Sequence, residues 1–214
     1  MAKRAASTTT SGRRLQRRLQ HQDLSRQQLL DAAEEVFGRK GFHETTLKQI
    51  AELAEFSVGS VYSFFESKDD LFRQIFARRG DELLAEMEGV LTGSAPPAEQ
   101  LHRMVDVEIG FFRKHPHFGR LSLRYANVTR LAADTPVDVR IGSDYQRAMT
   151  LQAEVFSRGQ QSGALRAGDP EALSRLFSGL VLSFQTLDAA STAGSDEWYP
   201  LESFHELVER AFAT

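Results

Sequence analysis

Between Ser57 and Lys68 the chain places small, hydroxylated and cationic side chains where a polyanion could be held. Ser57-Val58-Gly59-Ser60 has almost no side-chain bulk, so another backbone can approach closely. As the start of a short helix it also directs N–H groups toward phosphate. Tyr62 adds a hydroxyl able to reach a phosphate oxygen, and Lys68 in the next helix can pin the same strand. Val58 can meet a thymine methyl, and Ser60 can bond weakly to several bases. The short helix has no Arg, Asn or Gln for bidentate contact with a base. The chemistry on offer is recognition of a phosphate backbone with light base contact. Catalytic signatures are missing: there is no Gly-rich phosphate loop after a strand, no metal-ligand pair on one helical face and no G-x-S-x-G.

These side chains need helices to position them, and the punctuation for helices is present. Ser25 and Gln28 read as a capping box, with Leu24 stapling onto Leu29. Leu29, Leu30, Ala33, Val36 and Phe37 then share a face at helical spacing, and Gly41 is the natural stop. Thr45 or Thr46 caps the second helix; with Thr46, Gln49 completes another box. Leu47, Ile50, Ala51 and Ala54 form its inner face, leaving Lys48, Gln49 and Glu52 outside. After a turn at Ala54-Glu55-Phe56, Ser57 caps the third helix, whose Val61 and Phe65 face inward. Ser67 caps the fourth. The second and third helices are spaced like a helix-turn-helix, which lays a short helix in the major groove of DNA.

Residues 26–71 resemble the DNA-binding domain of the tetracycline-repressor (TetR/AcrR-like) family. The matching positions are Ala32-Ala33, Phe37, Gly41-Phe42, Thr45-Thr46, Ile50-Ala51, Ala54, Ser57, Gly59, Val61-Tyr62, Phe65 and Ser67-Lys68 followed by Leu71. The resemblance implies an all-α, dimeric, ligand-responsive transcriptional regulator. By position, Thr46, Tyr62 and Lys68 grip phosphate, while Lys48, Val58 and Ser60 face base edges; Thr45, Ser57 and Gly59 join this DNA-facing set. Two positions depart from the pattern. Glu55 occupies the turn position usually held by glycine, and Phe64 stands where a hydrogen-bonding Tyr or His is common.

Charge divides along the chain. Residues 1–68 hold 11 Lys/Arg against 8 Asp/Glu, net +3, and residues 69–214 hold 15 against 21, net −6. That is the pattern expected when one end meets nucleic acid. Residues 1–24 read as a basic flexible arm in which residues 1–12 lack regular structure. Arg13, Arg14, Arg17 and Arg18 are its candidates for reaching backbone or minor groove. Residues 25–70 form the helix-turn-helix domain and 71–214 a helical regulatory and dimerisation domain. The chain lacks cysteine, a bilayer-long apolar run and a signal-peptide core, so the expected location is the cytoplasm.

Beyond Ser67 the apolar period continues through helices to about Leu91, Lys114, Asp134, Gln161 and Ala190, with a last helix after Pro200. Breaks fall at Thr92–Pro97, His115–His117, Asp134–Pro136, Gly163–Gly168 and Ser191–Ser195. The helix from Pro170 and the last helix carry more apolar surface than one core-facing stripe needs. Phe177, Leu180, Val181, Phe184, Phe204 and Val208 are therefore candidates for a homodimer interface. Glu108, Phe111, Phe112, Tyr125, Met149, Gln152 and Phe156 are candidates for an aromatic pocket holding a small hydrophobic or planar effector. His115 and His117 have no evident third ligand, so no metal and no cofactor is expected. The expected function is a repressor on a palindromic operator in double-stranded DNA, released by an unidentified effector, with no membrane partner. The alternative is an architectural or adaptor protein of the same fold that senses no small molecule.

Overall fold

The computed structural model describes residues 5–131, 138–190 and 199–214. Among them are nine helices. They are α1 (Ala5–Lys40), α2 (Leu47–Leu53), α3 (Val58–Phe64), α4 (Lys68–Leu91), α5 (Pro97–Lys114), α6 (Pro116–Leu131), α7 (Asp138–Gln161), α8 (Pro170–Ala190) and α9 (Leu201–Phe212). The class is all-α, as the apolar periods required. The chain divides into two compact units, Met1–Ile75 and Phe76–Thr214. The breaks expected at Asp134–Pro136 and Ser191–Ser195 lie outside the described residues.

In the first unit Leu29, Leu30, Ala33, Val36 and Phe37 are buried, as are Ile50, Ala51, Val61, Phe65 and Leu71. The rings of Phe37, Phe42 and Phe72 meet at centroid distances of 5.0–5.8 Å. Gly41 ends α1 at φ 84°, its N–H donating to the Phe37 carbonyl at 2.7 Å. The other end of α1 corrects the sequence reading. The helix runs unbroken from Ala5, so Ser25 lies within it, where no N–H group needs a cap. Leu24 is 62% exposed and staples nothing. Residues 5–24 contain no proline and one glycine, and are rich in Arg, Gln and Leu. Once the buried turns of α1 have formed, each added residue gains a backbone hydrogen bond without a new nucleus.

In the second unit Met104, Val105, Ile109, Val155, Phe156, Phe177, Val181, Phe184, Phe204 and Val208 belong to one core. Phe184 stacks on Phe204 at 4.5 Å, and Phe212 meets Phe156 and Phe177 at 5.3 and 5.9 Å. A buried amide closes the end of α4: Gln100 donates to the carbonyls of Val90, Leu91 and Gly93 at 2.9–3.1 Å. Arg158 donates to Leu91 and to the Gln100 carbonyl oxygen. These bonds satisfy carbonyls that a helix C-terminus leaves without intrahelical donors. On α4 Glu82 accepts from Arg79 at 2.7 Å and Lys114 at 3.0 Å, with His115 Nε2 at 3.3 Å. Burial pushes the Glu82 carboxyl up. The hydrogen bonds from Arg79 and Lys114 and the nearby Arg79 and His115 charges outweigh it and lower the pKa to about 2.

Candidate nucleic-acid interface

The interface is built from caps. Thr46 accepts from the Gln49 N–H at 3.3 Å, while the Gln49 side chain accepts from the Thr46 N–H at 3.1 Å. This reciprocal pair starts α2 and sets the exposed Lys48 on its outer surface, beside Glu52 at 3.8 Å. After Ala54 the chain turns through Glu55 at φ 60°, the left-handed conformation. A side chain there costs roughly 1–2 kcal/mol. The Phe56 N–H donates to the Ala51 carbonyl at 2.8 Å and holds the turn. Ser57 then caps α3 by accepting from the Ser60 N–H at 3.0 Å.

Ser57, Val58, Gly59 and Tyr62 are exposed, and Ser60 is half-buried. Tyr62 is 59% exposed although Val61 beside it is fully buried. Arg26 anchors the back of this helix, a role the sequence reading missed. Its guanidinium donates to the Phe64 carbonyl at 3.2 Å, lies 4.9 Å from the centre of the Phe65 ring and bonds the Gln74 side chain. No local spacing joins Arg26 to residues so distant in sequence. Ser67 caps α4 by accepting from the Asp70 N–H at 3.0 Å, and Asp70 accepts from the Glu66 N–H in return.

Two expected DNA contacts are placed elsewhere. Thr45 is buried, and its hydroxyl donates to the Gly41 carbonyl at 2.7 Å. The Lys68 ammonium donates to the carbonyls of Phe42 and Thr45 at 2.9 and 3.0 Å and sits over the Phe42 ring. The tight α1–α2 turn leaves these carbonyls without helical partners, and the cation satisfies them. On α1, Arg14, Arg17 and Arg18 are exposed at spacings of three and four residues, on one helical face. The Arg13 side chain lies outside the described residues.

Residues 29–75 match the model of bacterial regulatory proteins of the tetR family. The chain carries a tetR-family DNA-binding domain. It is 25% identical over 179 residues to the uncharacterized HTH-type transcriptional regulator YhgD of Bacillus subtilis, covering 80% of this chain and 92% of that one. The fold resembles a putative transcriptional regulator from Saccharomonospora viridis in complex with choline: TM-score 0.75, 18% identity, 90% of this chain and 99% of that one. It also resembles AibR in complex with isovaleryl coenzyme A and operator DNA, with TM-score 0.70, 18% identity, and 87% and 97% coverage. The tetR family consists of DNA-binding regulators, not enzymes.

The second unit, which extends beyond the residues that match the tetR-family model, redistributes the remaining candidates. Phe111 and Phe156 are packed in the core, while Phe112, Tyr125 and Glu108 are half-buried. Met149 and Gln152 are buried beside two serines that were not singled out for ligand contact. Gln152 Oε1 accepts from Ser174 at 3.1 Å and Ser178 at 2.9 Å, and its amide nitrogen faces Glu108 at 3.5 Å. The signal was available as polar residues four apart on an otherwise apolar helix. A separate open cleft of about 310 Å³ runs along α7 and the start of α8, touching Met149, Glu154, Asp169 and Arg175.

The proposed dimer residues are corrected. Phe177, Val181, Phe184, Phe204 and Val208 are at most 2% exposed within the single chain and cannot meet a partner; Leu180 is half-buried. Helix α8 is apolar on two faces, one of which fills its own unit. The outward apolar side chains are Leu176, Leu187 and, on α9, Leu207, at 61%, 43% and 41% exposure. Among the described residues no group of His, Cys, Asp and Glu is arranged to hold a metal, and no helix is long and apolar enough to cross a membrane. His115 faces Glu82, and His117 faces Arg120.

Proposed function

We propose that this chain is a transcriptional repressor. As a homodimer it grips a palindromic operator and leaves it when a small, largely apolar effector enters the second unit. The observation that carries the DNA-binding part is the exposed start of α3: a capped helix end with Val58, Gly59 and Tyr62 in solvent, held from behind by Arg26. The buried polar group around Gln152, set in a Phe-rich core, supports effector binding. Relatives of this fold are described with choline and with isovaleryl coenzyme A plus operator DNA. Leu176, Leu187 and Leu207 supply the self-complementary apolar surface that a two-fold dimer needs.

Selection of full-length protein on random double-stranded DNA tests this reading. A two-fold symmetric consensus is expected, and Val58→Arg should change the central bases of each half-site. Recovery of no consensus would sink the proposal. Repression follows if a reporter placed behind the selected sequence falls when the protein is supplied; a rise would assign activation instead.

A further inference from the structure

The inner side of α8 carries a polar stripe. Ser174, Ser178, Val181 and Gln185 follow one another by four, three and four residues, so they share a face. All four are buried. At one end of the stripe Ser174 and Ser178 are satisfied by Gln152. At the other, about 10 Å further along the helix, Gln185 is 5% exposed and its amide nitrogen is buried without a hydrogen-bond partner. Buried amides are almost always paired, because stripping water from an N–H without replacing it is costly. Among the described residues no acceptor is paired with it.

Charge restricts that acceptor. Among the described residues no Lys or Arg is buried. Arg113, which reaches this end of α8, forms a bidentate pair with Asp188, one turn beyond Gln185. At the stripe's other end the Gln152 amide that accepts from Ser174 and Ser178 faces the carboxylate of Glu108. An anionic head group would enter this apolar surround without a counter-charge, whereas a neutral oxygen would not. We infer that Gln185 recognises the effector, and that the effector is an uncharged apolar molecule bearing a hydrogen-bond acceptor such as a ketone, ester or ether oxygen. This rests on the reading of the second unit as the effector-binding unit.

The test uses full-length protein and three matched sets: 2-acetylnaphthalene, 2-ethylnaphthalene and 2-naphthoate; acetophenone, ethylbenzene and benzoate; nonan-2-one, nonane and nonanoate. Calorimetry and ligand-induced stabilisation give affinities. In at least one set the ketone should bind about tenfold or more tighter than its hydrocarbon, which cannot accept the hydrogen bond, and than its acid, whose carboxylate can accept it but carries a charge into an apolar surround. Gln185→Leu, with Gln185→Met as a second folded variant, should erase that preference and leave hydrocarbon binding unchanged or tighter. Ketone preference that survives both variants, or binding without ketone preference, overturns the inference and leaves the effector reading standing. Binding by no member of any set overturns both.

Discussion

At the scale of single residues, the same side-chain type does different work according to what surrounds it. Tyr62 stands in solvent on a helix whose neighbouring Val61 is fully buried. Tyr62→Phe should lower affinity for every DNA sequence alike, by a few-fold, because phosphate contacts position without specifying. A shifted consensus in the selection experiment would contradict that assignment. Lys68, by contrast, closes the turn between α1 and α2. Lys68→Met should destabilise the first unit by about 1–3 kcal/mol, the range for stranding buried acceptors, while the salt dependence of DNA binding in the folded protein stays as it was. Glu55 sits at φ 60°, a conformation that costs a side chain about 1–2 kcal/mol. Glu55→Gly should therefore raise the stability of that unit by about 1 kcal/mol in a denaturant titration. An unchanged midpoint would show that the turn carries no strain.

At the scale of elements, α1 and α4 carry the sharpest consequences. Helical backbone from Ala5 turns the basic arm into an extension of α1 with Arg14, Arg17 and Arg18 on one side. Removing residues 1–20 deletes six basic side chains. If half of them meet phosphate, the logarithmic salt slope of DNA binding should fall by about 2–3, and affinity should drop more than about tenfold at moderate salt. Superimposable titrations of full-length and truncated protein would reduce the extension to a solvated helix. On α4, the Glu82 carboxyl titrates in the fold near about 2 instead of 4.5. A depressed carboxyl pKa stabilises the fold above its unfolded value, and the gain is lost as pH falls through the folded value. Glu82→Gln should cost about 1–2 kcal/mol at pH 7 after solvent screening, and the difference from wild type should vanish between pH 4.5 and 2. A constant difference across that range would remove the ionic explanation.

At the scale of the whole molecule, burial decides which apolar residues can join two copies. Phe184 stacks on Phe204 inside one chain, so Phe184→Glu should unfold the second unit. The double change Leu176→Glu and Leu187→Glu touches only outward positions. It should keep the helical content and thermal transition of the wild type while shifting sedimentation from dimer to monomer and abolishing operator binding. A wild type that sediments as a monomer at micromolar concentration would end the dimer proposal.

What the sequence determined by itself was most of what local chemistry specifies, the cap read at Ser25 excepted, since α1 runs through it. The caps at Thr46, Ser57 and Ser67, the stop at Gly41 and the inward faces of α1 to α3 follow from hydrogen-bonding reach within a few residues and from the helical period. That is enough to read a helix-turn-helix and its exposed end. Tertiary structure decided whatever depends on residues distant in sequence. Lys68 reaches carbonyls 23 and 26 positions away, Thr45 is covered, and Arg26 braces α3 from 38 positions upstream. The apolar excess of α8 illustrates the limit. Hydrophobicity counts how much surface must leave water, not whether the chain's own core or a second copy covers it. Leu176 and Phe177 are adjacent and equally apolar, yet one is 61% exposed and the other fully buried. Only the packing of α8 against its neighbours separates them, and the same packing isolates the amide of Gln185.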